Sequence, residues 1–272
     1  MLKTRKNTFK LYYFKSNSRA QVIRALLSWS KVDWEDIHLS KEQFEELKLK
    51  FNSNSCKPIK NSNTYSDKIQ SINNFNLCFN KLPILEYKGN FFCQSHAIEY
   101  YLAKKFKLID SDYENEYIIL NLLSSYEEIH SRLISIIIPD NLYDKDNLEI
   151  NAKEFLEITL PNYLSQYESI IKRNNTDIEF EYSKIKERNI ELKFSEDKSS
   201  NVYYFFKEKI SLADFIFGIF YYYVLYNPIR YNSLKHIIEK YSPCLGFYIE
   251  KLFYSGEFSD FYNNCYIKDS KY

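Results

Sequence analysis

Hydrophobic periodicity changes character once along this chain, and that change leaves few architectures open to it. Up to about Leu108, short runs of strand composition alternate with segments whose apolar residues recur at helical spacing. "FKLYYFKSN" (9–17) has strand composition and closes on polar turn formers. "SRAQVIRALLSWSKV" follows, with Val22, Ile23, Leu26 and Leu27 at helical spacing. "DWEDIHLS" predicts a second strand and "KEQFEELK" a short charged helix. Residues from about 50 to 80 are rich in Asn, Ser and Lys and weakly periodic, so they read as an inserted loop. Next come the strand "LPILEYK", a turn at Gly89, the strand "NFFCQ" and the helix "SHAIEYYLAKKF". The order β-α-β-α-β-β-α predicts an α/β layer over residues 1–108.

Beyond Asp112 only helical spacing remains. "ENEYIILNLLSSYEEIHSRLISIII" predicts a long amphipathic helix. "KEFLEITLPNYLSQYESIIKRN" predicts another, bent or interrupted at Pro161, which has no N–H to donate. A polar insert is expected over about 174–205, followed by the apolar helix "SLADFIFGIFYYYVLY" and by "NSLKHIIEKYSPCLGFYIEKLFY". Ser211 and Asp214 are spaced as a capping box at a helix start. Residues 112–272 thus read as an all-α domain. The 26 tyrosines and 21 phenylalanines are expected chiefly as filling for the apolar faces.

Several function classes drop out. Lys plus Arg is 37 and Asp plus Glu is 36, so no global field favours nucleic acid or an anionic surface. The four glycines, Gly89, Gly218, Gly246 and Gly256, are too far apart for a phosphate-binding loop. Five cysteines without CxxC spacing argue against a structural zinc site or a dithiol. His38, His96, His130 and His236 have no ligand spacing, so no metal is expected. Cys93, after Phe91 and Phe92, is expected as a buried, inert thiol. The start "MLKTRKNTFK" lacks the apolar run of a signal peptide, and the apolar stretch 215–226 is too short to span a bilayer. A cytoplasmic location and no membrane partner are therefore expected.

The stretch "KLPILEYKGNFFCQSHAIEYYLAKKF" carries the chemistry. Pro83 at a strand start is tolerated in a turn or at an edge, often after a cis bond, and leaves the backbone of Leu82 open to an extended peptide. Gln94 and Ser95 stand at a helix N-terminus, where free N–H groups and the macrodipole favour a carboxylate. A small extended peptide with a free carboxylate suits both features.

These residues resemble the glutathione site of cytosolic glutathione transferases, the sigma-like class in particular. "KLYYFKSNSRAQVIRALL", "WEDIHLSKEQFEELK" and "SLADF" extend the resemblance over most of the chain. It implies a thioredoxin-like N-terminal domain followed by a helical-bundle C-terminal domain. It implies that the Tyr13 hydroxyl donates to the glutathione sulfur, with Arg19 in electrostatic support. Strand alternation lets only one of Tyr12 and Tyr13 face the site, and the resemblance selects Tyr13. Leu82, Pro83, Gln94 and Ser95 then hold the peptide, Lys48 meets its glycyl carboxylate, and Lys81 stands in the glutathione site where a Gln or Lys usually sits. Phe44 stands where sigma-like members carry Trp, and Asn121 of the partner subunit where they carry Asp. The implied function is conjugation of glutathione to a hydrophobic electrophile by a homodimer, with peroxidase or prostaglandin-isomerase side activity. Glutathione is then a co-substrate and no cofactor is needed. The alternative is a non-catalytic glutathione-binding or scaffold module of the same fold.

Overall fold

The computed structural model describes residues 8–54, 81–110, 112–137, 152–187, 203–222 and 232–265. Its architecture is a thioredoxin-like α/β layer followed by a helical bundle. Residues up to Phe106 form one compact unit, which the segment from Asp260 joins; Lys107–Ser259 form a second.

In the first unit β1 (Phe9–Tyr13) leads through a single 3-10 turn, Ser18–Ala20, into α1 (Gln21–Trp29). Strand β2 (Trp34–His38) and α2 (Lys41–Asn54) follow, then β3 (Ile84–Tyr87), β4 (Asn90–Cys93) and α3 (Ser95–Lys105). The sheet order is β2-β1-β3-β4. Strands β1 and β2 are parallel, which a tight turn cannot connect, so α1 makes the crossover. The β3–β4 pair is antiparallel and closes on Lys88 and Gly89, both at positive φ, as a two-residue primed turn requires. Along β1 burial alternates: Phe9, Leu11 and Tyr13 are buried, while Lys10 and Tyr12 are half-buried. Helix α1 buries everything from Gln21 to Leu27, Arg24 included.

The second unit opens with α4 (Tyr113–Ile137). The expected interruption at Pro161 takes the form of a π turn, Phe155–Thr159, in front of α5 (Leu160–Asn174). There the Leu160 N–H reaches back to the Phe155 carbonyl, and Pro161 occupies the first turn of the next segment, where its missing N–H costs little. The stretch expected as a polar insert contains α6 (Ile178–Glu187), whose Ile178 is fully buried and whose Tyr182 ring meets Phe247. Residues 188–202 of that insert, and most of the one from about 50 to 80, lie outside the described residues; α2 accounts for positions up to Asn54.

Helix α7 (Leu212–Phe215) widens into a second π turn, Ile216–Tyr221. The capping box is formed at its start, and Asp214 also accepts from the Phe205 N–H at 2.7 Å and the Tyr248 hydroxyl at 2.6 Å. Gly218 lies where a Cβ would stand 2.6 Å from Phe258 Cε2 and 3.0 Å from Leu252 Cβ. Helices α8 (Asn232–Tyr241), α9 (Pro243–Phe253) and α10 (Ser259–Asn264) follow. Tyr126, Tyr221 and Tyr248 are fully buried beside Phe217 and Phe220, so many of the aromatics do fill the core. Among the described residues no helix is long and apolar enough to cross a membrane.

Candidate functional site

Sheet register determines which expected residues meet. Tyr13 ends β1, Ile84 begins β3 opposite Tyr12, and Cys93 ends β4 opposite Ile84. One step further along each strand brings Tyr13, Pro83 and Gln94 to the same end of the sheet. The parallel strand β2 ends there as well, and the Leu39 N–H bonds to the Tyr13 carbonyl at 2.8 Å before the chain enters α2.

Three features at this end, besides Tyr13, carry chemical meaning. The Leu82–Pro83 bond is cis. Gln94 holds φ 67° and ψ 114°, a conformation that costs a non-glycine residue free energy and persists where its surroundings enforce it. Its side chain is exposed and does not cap α3; its carbonyl accepts from the Ile98 N–H at 3.0 Å. Ser95 opens α3, only 4% exposed, and among the described residues its hydroxyl makes no hydrogen bond. Buried N–H groups and a hydroxyl at a helix start form a ready seat for a carboxylate.

Tyr12 and Tyr13 separate cleanly. The Tyr12 hydroxyl donates to Glu86 at 2.7 Å, and burial, together with that carboxylate, pushes its pKa far above the ordinary phenol range. Tyr13 faces the other way and is 7% exposed; among the described residues its hydroxyl has no hydrogen-bond partner. Its ring lies under the guanidinium of Arg24, 5.8 Å from the ring centroid, and beside Phe14.

The remaining expected residues are placed unequally. Phe44 is a core residue: it packs with Ile84, Leu82 and Phe14 and carries the Lys48 ammonium 4.8 Å from its ring centroid. Lys48 is also paired with Glu45. Lys81 is exposed just ahead of the cis bond, and Arg19 is half-buried in the 3-10 turn. Asn121 is exposed on α4, in the other unit. Cys93 departs from expectation: it is half-buried and disulfide-bonded. Reasoning from sequence missed Arg24, whose charge sits among apolar neighbours on α1 and finds its partner Asp36 on β2. It also passed over Glu99, fully buried on α3 and joined to His96 Nδ1 at 2.8 Å.

No family model matches the chain. A glutathione S-transferase of Plasmodium yoelii yoelii is 26% identical over 166 residues, 60% of this chain and 64% of that protein. Glutathione S-transferase A2 of Bos taurus is 26% identical over 168 residues, 62% of this chain and 63% of that protein. The chain thus spans just under two thirds of the length of these relatives.

Solved structures match over more of the chain. Prostaglandin synthase D of Nilaparvata lugens superposes with a TM-score of 0.61 at 20% identity, covering 95% of this chain and 98% of its own. The sigma-class transferase of Fasciola hepatica gives 0.62 at 18%, covering 95% and 96%. A monomeric transferase of the hookworm Necator americanus gives 0.64 at 16%, covering 97% and 100%. The fold is that of the glutathione S-transferases. Curated relatives and structural neighbours together indicate that family. They do not single out the sigma-like class, because a pi-class and an alpha-type transferase stand among them.

Proposed function

We propose that this protein is a glutathione transferase whose thiol-activating group is Tyr13. The observation that carries the reading is the gathering, at one end of the sheet, of a cis Leu82–Pro83 bond, a Gln94 at positive φ, a buried Ser95 and a Tyr13 hydroxyl with no hydrogen-bond partner among the described residues. In this reading the backbone of Leu82 pairs with the extended peptide. Ser95 and the first N–H groups of α3 receive the γ-glutamyl carboxylate, and Gln94 borders it. Lys48 and Lys81 supply positive charge toward the glycyl end, while Phe44 contributes packing only, since it has no donor. The Tyr13 hydroxyl donates to the sulfur. A free thiol ionises near pH ~8.5, so stabilising the thiolate raises the supply of nucleophile at neutral pH. The thiolate attacks an electrophilic carbon, a carbon–sulfur bond forms and the leaving group departs with its electron pair.

The finer parts of the reading rest on the sequence resemblance to cytosolic glutathione transferases. They are a sigma-like class, a hydrophobic electrophile, peroxidase or prostaglandin-isomerase side activity, a detoxifying role in the cytoplasm, and a homodimer in which Asn121 of the partner subunit meets the glutathione amine. The apolar stripe on α4 favours a second copy: Tyr113, Tyr117 and Leu120 are 85%, 66% and 44% exposed. One observation favours the non-catalytic alternative. Phe44 is taken up by the core and Lys48 by Glu45, which thins the wall at the glycyl end.

Retention on immobilised glutathione, release by free glutathione, and conjugation of a generic aryl halide by the released protein test the proposal. Retention with turnover is expected. Retention without turnover selects the binding module, and no retention refutes every glutathione-binding reading and leaves the scaffold.

A further inference from the structure

Arg24 is the one lysine or arginine among the described residues that is buried, and its exposure is 0%. Burying a guanidinium costs several kcal/mol unless its donors are satisfied. Here Nε donates to Asp36 Oδ2 at 2.8 Å, NH1 to the Ser16 carbonyl at 2.6 Å and NH2 to the Phe14 carbonyl at 3.4 Å. Two of these three acceptors belong to the turn that directly follows Tyr13, and the guanidinium carbon stands over the Tyr13 ring, 5.8 Å from its centroid. The other groups around it are His38, which shares Asp36 Oδ2 at 3.0 Å, and Cys265, whose thiol is raised by burial while Arg24 pulls it the other way.

We propose that Arg24 is a positioning residue for Tyr13: its planar fork fixes the turn after β1 and its cationic face fixes the ring, so that the hydroxyl is held on the glutathione sulfur. The inference rests on the transferase reading above. It assigns Arg24 no contact with substrate. Lysine keeps the charge but is a single point donor, so it cannot satisfy the three-way fork.

The test is an ultraviolet difference titration of the thiolate of bound glutathione in wild type, Arg24→Lys, Tyr13→Phe and the double variant. Wild type is expected to ionise bound glutathione below the free-thiol value of ~8.5. In Arg24→Lys the midpoint rises by about one unit and kcat falls about tenfold, with KM for glutathione little changed. On the Tyr13→Phe background the same substitution adds nothing, because the effect passes through the hydroxyl. A structural role alone lowers thermal stability and active fraction but leaves the midpoint in place, and that result overturns the proposal. A further shift on the Tyr13→Phe background also overturns it, since Arg24 then acts on the sulfur without Tyr13. Should Arg24→Lys fail to fold, Asp36→Asn replaces it, with a smaller shift in the same direction expected and an unmoved midpoint decisive against. Wild type that forms no bound thiolate refutes the functional reading, and the inference with it.

Discussion

Ser95 shows how much a single position contributes to this account. Ser95 is a buried residue at the first turn of α3, where Gln94 provides no side-chain cap. A hydrogen bond to a charged group is worth about 1.5–3 kcal/mol, so Ser95→Ala is expected to weaken glutathione binding by about that amount. Calorimetry reads it directly; unchanged affinity returns Ser95 to a local helix role. The Leu-Pro and Gln-Ser pairs were legible in the sequence because their meaning is local: a proline at a strand start and polar residues at a helix start. Arg24 was not. Nothing within α1 distinguishes it from a surface charge, since its acceptors are the carbonyls of a preceding turn and a carboxylate on β2. The fate of Cys93 was hidden for the same reason, because no CxxC spacing announces it.

Among the elements, α7 and the π turn behind it hold two buried, closely packed positions, Asp214 and Gly218. Asp214 is fully buried, and burial raises its carboxyl to about 6 against the downward pull of Tyr248, Phe205 and Ser211. Because the folded value lies above the ordinary 3.8, the folded state holds the proton more tightly. The associated stability is fully present below about pH 4 and is lost as pH rises through about 6, about 3 kcal/mol in all. Urea unfolding of wild type and Asp214→Asn between pH 4 and 7.5 checks this. The stability advantage of wild type should shrink as pH rises, and a constant difference contradicts it. Gly218→Ala tests the close approach in the same stretch, because its methyl must displace Phe258 or Leu252. A loss of about 1–3 kcal/mol is expected from overpacking and is read by denaturant midpoint.

The same scale shows where sequence reading succeeds and fails. All four strands and the helices between them were legible from periodicity, and Pro161 marked an interruption. The form of that interruption, a π turn ahead of the proline, depends on neighbours that periodicity does not report. Helix α6 went unrecognised because Glu and Lys surround Ile178 and Tyr182, the residues it turns inward.

For the molecule as a whole, assembly and activity remain to be measured together. The exposed Tyr113, Tyr117 and Leu120 favour a two-fold dimer, so sedimentation equilibrium at micromolar concentration should give about twice 32.8 kDa. A single species near 32.8 kDa removes the partner subunit's Asn121 from the site but leaves Tyr13 in place. The most direct test of the central claim is therefore steady-state conjugation by Tyr13→Phe, set beside its calorimetric affinity for glutathione and beside Tyr12→Phe. The account predicts turnover reduced on the order of a hundredfold in Tyr13→Phe, the usual cost of one such donor, with affinity nearly unchanged and Tyr12→Phe close to wild type. Full turnover in Tyr13→Phe, or the loss appearing in Tyr12→Phe instead, would contradict it.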